Sequence, residues 1–261
     1  MIRLMAQDFA KKELEPFAWK WDREKTFPEA AIKKMGGLGL MGMMIPVDYG
    51  GAWAGAVSYS LALQEIAYAC ASTAVTMSVT NLSSDPILQF GSEEQKKRYL
   101  VPLARGEMLG AFAVTEPEAG SDPGSMTTRA EDRGDHYLVN GSKVFITNGS
   151  YADVIVLITR TGSEKSNRGL SAFLLTKGTP GFRIGRSEEK MGLCASDTVE
   201  LILEDCRIPK KNLLGKEGFG FKIAMVALDS GRIGIASQSL GIARACLHEA
   251  IQYAKTRKQF G

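Results

Sequence analysis

At 261 residues with 44% hydrophobic content, the chain can form one large or two ordinary globular domains with a substantial core. Its 32 basic and 29 acidic residues are mixed along the whole length for a net charge of +3, and without a run of like charge or a basic stripe among aromatics nothing supports nucleic-acid binding. No apolar stretch reaches the roughly 18 residues of a membrane span, the 4 cysteines and 2 histidines lack zinc-site or C-x-x-C spacing, and the first residues carry no targeting pattern; a soluble protein with reduced thiols and no metal site is expected, in a bacterial-type cytoplasm or a mitochondrial matrix.

The first part of the chain, to about residue 105, has helical periodicity. Met5, Phe9 and Leu14 space a first helix, residues 57–71 a second and 72–89 a third. A fourth runs from Ser92 to Arg105, and Ser92-Glu93-Glu94-Gln95 gives it a capping box: the Ser hydroxyl accepts from the third residue's N–H while the Gln side chain reaches back.

From about residue 108 to 210 the pattern alternates as strands do. Asn140-Gly141 tolerates the positive φ angles of a type I′ turn, which predicts a hairpin pairing residues 135–139 with 143–148. Residues 154–159 form a continuous apolar run suited to a buried strand. Residues 170–176 and 182–185 read as strands flanking the Lys177-Gly178-Thr179-Pro180-Gly181 turn, and Val199, Leu201 and Leu203 alternate along another, 198–204.

Gly215-Lys216-Glu217-Gly218-Phe219-Gly220 lacks the βαβ setting of a dinucleotide fingerprint and reads as a linker. Beyond it, Ala236, Leu240, Ala243, Leu247, Ile251 and Ala254 keep a 3-4 spacing along one long helix, and Gly231, Gly234, Ser237, Ser239 and Gly241 predict close packing in a bundle or across a subunit interface. An α+β chain follows, with an all-α domain over 1–106, a middle β domain over 107–213 and the first part of a C-terminal helical bundle over 214–261. A single helix does not close a bundle, so an incomplete C-terminal domain is expected.

Residues 110–114 read as a strand leading into Thr115-Glu116-Pro117-Glu118-Ala119-Gly120-Ser121-Asp122, whose N–H groups and hydroxyls suit an anionic or planar ligand. An ordinary connecting loop has the same composition, and the residues alone leave both readings open. Asp229 and Arg232 read as a surface i,i+3 ion pair worth about 0.2–0.5 kcal/mol, and Arg257 as a basic residue favoured by a helix C-terminus.

Four segments in order, AFAVTEPEAGSD, KVFITNGSYAD, ASDTVELILEDCRIP and ALDSGRIGIASQSLGIA, resemble the acyl-CoA dehydrogenase family, and the resemblance runs the length of the chain. The LDSGRIGIA stretch looks most like short-chain, butyryl-type members. The resemblance implies an N-terminal helical domain, a barrel-like middle β domain and a C-terminal helical bundle, with FAD between the last two. Phe112, Ala113, Val114, Thr115, Gly120 and Ser121 would line the flavin. Phe145, Ile146 and Thr147 would cover its ring, with Thr115 and Thr147 as hydrogen-bond partners and Phe145 standing where many relatives have Trp. Arg257, reaching the FAD pyrophosphate of a neighbouring subunit, and Phe260 are further implied cofactor contacts; Ser121, Asp229 and Arg232 would contact the acyl-CoA.

The implied reaction removes an α-proton and a β-hydride from a short- or medium-chain acyl-CoA, giving trans-2-enoyl-CoA, with electrons passing to electron-transfer flavoprotein and a homotetramer as the complete assembly. It needs a carboxylate base whose pKa is raised by exclusion of water. In some members that base stands at the position matching Gly231, and in short- and medium-chain types it lies in the bundle beyond the position of Gly261. No catalytic base is therefore expected among these residues: Glu116, Glu118, Glu217 and Asp229 match neither position. The competing readings are a catalytically silent flavin- or acyl-CoA-binding fragment and an oxidase or nitroalkane-processing flavoprotein on the same fold.

Overall fold

A computed structural model describes residues 1–162 and 167–260. Six helices come first: α1 (Ile2–Phe9), α2 (Glu15–Glu24), α3 (Glu29–Gly37), α4 (Gly55–Ala69), α5 (Ala71–Phe90) and α6 (Glu93–Ala104). The single helix expected from Met5, Phe9 and Leu14 is α1 and α2 joined by a π-helical turn over Ala10–Leu14. Pro16 at the start of α2 has no N–H for the ordinary i→i−4 bond, and the wider turn keeps Phe9, Ala10 and Leu14 buried. Helix α3, short and ending in two glycines, was not anticipated from periodicity; it buries Ala31, Ile32 and Met35.

The capping box of α6 forms as expected, with Ser92 Oγ accepting from Gln95 N at 3.2 Å and Gln95 Oε1 accepting from Ser92 N at 3.0 Å. Gln95 Nε2 also donates to the carbonyls of Lys211 (2.9 Å) and Leu213 (3.0 Å), which ties the helical region to the β region. Ser92→Ala is expected to cost about 1 kcal/mol, read from the shift of a denaturant midpoint.

Eight strands follow among the described residues: β1 (Gly110–Ala113), β2 (Arg129–Asp132), β3 (His136–Thr147), β4 (Val154–Arg160), β5 (Leu170–Thr176), β6 (Phe182–Ser187), β7 (Thr198–Pro209) and β8 (Leu213–Leu214). They form one eight-stranded sheet in the order β6-β7-β3-β2-β4-β5-β8, with β1 parallel to β4. Strand β4 is buried along its whole length, as the apolar run over 154–159 predicts.

The expected hairpin at Asn140-Gly141 does not exist. Both of its arms lie mainly in the continuous strand β3, which pairs antiparallel with β7, and the register slips between Val139 and Gly141. The Asn140 side chain is drawn to the partner strand instead, Oδ1 accepting from Asp205 N (2.8 Å) and Nδ2 donating to Asp205 Oδ1 (3.2 Å). Gly141, at φ +143°, meets Thr128 so closely that a Cβ would lie 2.5 Å from its Oγ1. The extra residue lies in β7, where Glu204 and Asp205 (φ +50°) together oppose Asn140, so the dipeptide stays within the strand opposite a bulge. The true hairpin joins β2 to β3 at Gly134, where φ is +92° and Asp132 Oδ1 accepts the Gly134 N–H at 2.8 Å.

The last element is α7 (Gly220–Thr256), 37 residues or roughly 55 Å long. Its start is clamped onto the sheet: Gly218 N donates to Ser171 Oγ (3.0 Å) and Tyr137 OH to Glu217 Oε1 (2.6 Å). A Cβ on Gly220 would fall 2.5 Å from Ser171 N, so glycine is what lets the helix begin against β5. The expected close packing occurs through Gly234, Ser237 and Gly241, buried against α4 and α5. The 3-4 apolar stripe lies elsewhere: Leu240 (55% exposed), Leu247 (62%) and Ile251 (44%) face outward. Periodicity located the helix but not which of its faces is covered. Among the described residues, no helix is long and apolar enough to cross a membrane.

Candidate flavin-facing site

The site begins where β1 leaves the sheet. Ala113 and Val114 are buried and Phe112 half-buried, while Thr115 emerges at the edge of the core. The Val144 N–H donates to the Thr115 carbonyl at 2.9 Å, which joins the loop after β1 to the far end of β3 and brings Thr115 next to Phe145.

A bulge within β3 itself reshapes the strand there. In a regular strand residues 143, 145 and 147 would share a face. The register against β7 slips between Lys143 and Ile146, Phe145 takes a left-handed φ of +59°, and both Lys143 and Ile146 turn inward. Phe145 is left 61% exposed, with Thr147 half-buried beyond it. A left-handed backbone at a non-glycine residue costs on the order of 1–3 kcal/mol and concentrates at functional sites. Asn148, also left-handed and fully buried, secures the end of the strand by donating Nδ2 to the carbonyls of Gly110 (3.1 Å) and Thr76 (3.3 Å).

Beneath this surface lies a buried ion pair. Lys143 Nζ donates to Glu116 Oε1 (2.7 Å) and to the Val114 carbonyl (3.0 Å). Glu116 accepts in addition from Thr127 N (2.6 Å), Thr127 Oγ1 (3.0 Å) and Thr128 N (3.0 Å). Burial pushes the Lys143 ammonium down to about 8 against the pull of the carboxylate. Burial works against charge on Glu116 as well, but the ammonium and the threonine donors outweigh it and hold the carboxyl below its ordinary value. Glu116 is thus a structural anion of the loop. The loop folds back through a tight turn between Glu116 and Ala119, leaving Glu118, Gly120 and Ser121 exposed, and Arg160 closes its far side by donating to the carbonyls of Gly124 (2.6 Å) and Met126 (3.2 Å).

The structure therefore brings together Phe112, Ala113, Val114, Thr115, Phe145, Ile146 and Thr147. The Thr115 and Thr147 hydroxyls make no hydrogen bond to another described residue, and the Thr115 N–H has no acceptor among them. What results is an exposed aromatic ring beside uncommitted donors, a surface suited to one face and edge of a planar, heteroatom-rich ligand.

The residues on α7 are placed differently. Asp229 and Arg232 form an exposed i,i+3 ion pair. Gly231 opens onto crevices between α5 and α7: one cavity of about 230 Å³ walled by Tyr59, Asn81, Leu82 and Asp85, and another of about 500 Å³ walled by Val79, Leu82, Leu228 and Ile235. Arg257 and Phe260 follow the distal end of the helix, exposed, and the single chain does not bring them to the flavin face.

Sequence reasoning missed the Lys143–Glu116 pair and the Asp85 carboxylate, which accepts from Gln89 Nε2 at 2.8 Å. The signal for the pair was that Lys143 keeps the inward phase of Tyr137 and Val139 along the strand, which puts a charged side chain on the buried face.

Residues 1–107 match the acyl-CoA dehydrogenase N-terminal domain, 111–206 the middle domain and 218–261 the C-terminal domain. The mitochondrial short-chain specific acyl-CoA dehydrogenase of Mus musculus is 51% identical over 262 aligned residues, which take in 100% of this chain and 64% of the mouse protein. Among solved structures, a chain in that of the electron transferring flavoprotein of Acidaminococcus fermentans superposes with a TM-score of 0.98 at 48% identity, covering 100% of this chain and 69% of that one. The butyryl-CoA dehydrogenase of Megasphaera elsdenii superposes with a TM-score of 0.96 at 44% identity, with 100% and 69% covered. This chain thus spans about two-thirds of the length of the proteins it matches, and through all three of its regions it belongs to the acyl-CoA dehydrogenase family.

Proposed function

We propose that these residues form the flavin face and part of the acyl-CoA channel of an FAD-dependent dehydrogenase acting on short- or medium-chain acyl-CoA. The observation that carries the reading is Phe145, held outward on a left-handed bulge beside the uncommitted Thr115 and Thr147. An apolar ring cover and nearby donors fit FAD, which when bound supplies the acceptor for the substrate β-hydride. Phe145 excludes water from the ring, while Ile146, turned inward, packs the strand beneath it; Thr115 and Thr147 orient the ring; Ser121, Asp229 and Arg232 contact the acyl-CoA.

The apolar walls of the crevice at Gly231 suit an acyl chain, and the likeness to short-chain and butyryl-CoA enzymes supports a short one. The product is the trans-2-enoyl-CoA. Electrons pass to electron-transfer flavoprotein, a partner in keeping with the Acidaminococcus fermentans match. Arg257 and Phe260 act on the FAD of a neighbouring subunit in a homotetramer. The mitochondrial and bacterial relatives support a matrix or a bacterial cytoplasm as the compartment. A second reading, a flavin- or acyl-CoA-binding fragment without catalysis, is favoured by the absence of a side chain at Gly231.

The test is an FAD titration followed by quenching of flavin fluorescence. Saturable binding is expected, weakened about 10-fold by Phe145→Ala, since tenfold corresponds to about 1.4 kcal/mol and an aromatic contact is worth roughly that. No saturable binding by the unsubstituted chain overturns the proposal.

A further inference from the structure

We infer that Lys143 and Glu116 are positioning residues for the flavin: the Lys143 ammonium, seated on the Val114 carbonyl, fixes the Val114–Thr115 peptide as a pre-set donor to FAD. The inference rests on the flavin-binding reading and adds to it a buried charge that does not touch the cofactor.

Three observations converge. First, the pair is almost wholly shut off from water, Lys143 at 0% and Glu116 at 4% exposure, and both carboxylate oxygens are engaged. Second, Lys143 reaches beyond Glu116 to the Val114 carbonyl at 3.0 Å. That carbonyl and the Thr115 N–H belong to one planar, conjugated unit, so a cation on the oxygen fixes the plane of the N–H and strengthens it as a donor. Third, that N–H has no acceptor among the described residues, whereas the Thr115 carbonyl is committed to Val144 N at 2.9 Å. One end of the peptide is braced by charge and the other is left uncommitted at the ligand surface.

Stability alone gives little reason for such a pair. A well-packed apolar pair of similar volume is often as stable as a buried ion pair, or more so. A charge buried behind a ligand face is explained when the charge orients what the ligand meets. Glu116 completes the device: it compensates the ammonium, and by holding Thr127 and Thr128 it fixes the return of the loop that carries Gly120 and Ser121.

The discriminating variant is the double replacement Lys143→Met with Glu116→Met in the full 261-residue chain, which removes both charges and keeps apolar volume. Its melting temperature without FAD should stay within a few degrees of the unsubstituted chain, while its FAD affinity falls about 10-fold or more and the visible spectrum of the bound flavin shifts. A folded double variant with unchanged affinity and spectrum overturns the inference and leaves the flavin reading standing. Failure of the unsubstituted chain to bind FAD overturns both. Should the double variant not fold, the unsubstituted chain decides: its Thr115 amide resonance must move strongly as FAD saturates, and an unmoved resonance refutes the assignment.

Discussion

Glu116→Gln is expected to destabilise the fold by about 3–5 kcal/mol, because removing one partner of a buried pair leaves the other charge uncompensated. At this chain length such a loss lowers the melting temperature by roughly 10 °C. Lys143 would keep the Val114 carbonyl but lose its anion, and Thr127 and Thr128 would lose a charged acceptor. Measurement by denaturant unfolding at neutral pH gives the size, and a loss below about 1 kcal/mol would show that the pair is not energetically coupled.

The pH dependence carries a second signature with a definite sign. The folded carboxyl of Glu116 lies below its ordinary value of 4.5, so its contribution is fully present above that value and is lost as pH falls through the lower, folded one. Glu116→Gln removes this part of the acid limb. For Lys143 the folded value of about 8 lies below the ordinary 10.5, so between them the unfolded chain binds more protons. Its share of the stability rises with pH across that window and falls away again as pH drops through 8. Lys143→Met should abolish that rise.

Most of the architecture was legible because it rests on local rules. The α6 capping box, the buried strand β4 and the long helix α7 each follow from spacing that admits few alternatives. The misreadings came where tertiary contacts override a local preference. Asn140-Gly141 has the chemistry of a tight turn, but the hydrogen bonds between Asn140 and Asp205 and the approach of Thr128 hold it in a continuous strand, opposite a bulge in β7. On α7 the large apolar residues promised a buried stripe; small residues gained the interface because Gly241 can approach the Gln64 carbonyl to where a Cβ would lie at 2.5 Å. The flavin-facing segments stood out through resemblance to a family, since their composition is that of any polar loop. What sequence reasoning passed over was the Lys143–Glu116 pair behind them: Lys143 keeps the inward phase of Tyr137 and Val139, but its partner lies 27 residues away in a loop that only the tertiary fold brings beneath it.

The 261-residue chain, supplied with FAD and butyryl-CoA without oxygen, is expected not to bleach the flavin. Removal of a thioester α-proton needs a free carboxylate near the reacting carbon, and a positioned general base is worth about 10²–10⁴-fold in rate. Four acids near the site are otherwise engaged, and Glu118, exposed on the turn of the loop, lines neither crevice. Glu116 is bound to Lys143, Glu217 accepts from Tyr137, Asp229 is paired with Arg232 on the exposed helix surface, and Asp85 accepts from Gln89. Gly231, which opens onto the crevices between α5 and α7, has no side chain to offer, and a Cβ placed there would lie 2.8 Å from Leu82 Cδ1. A carboxylate at this position therefore requires Leu82 to turn aside as well. Flavin binding and proton removal are separable on these residues: the first depends on Thr115, Phe145 and Thr147, the second on a group that none of the acids named supplies. Rapid anaerobic bleaching by butyryl-CoA, at a rate within tenfold of a full-length relative assayed alongside, would show that one of these engaged acids is released when substrate binds, and Asp85→Asn would be the first replacement to examine.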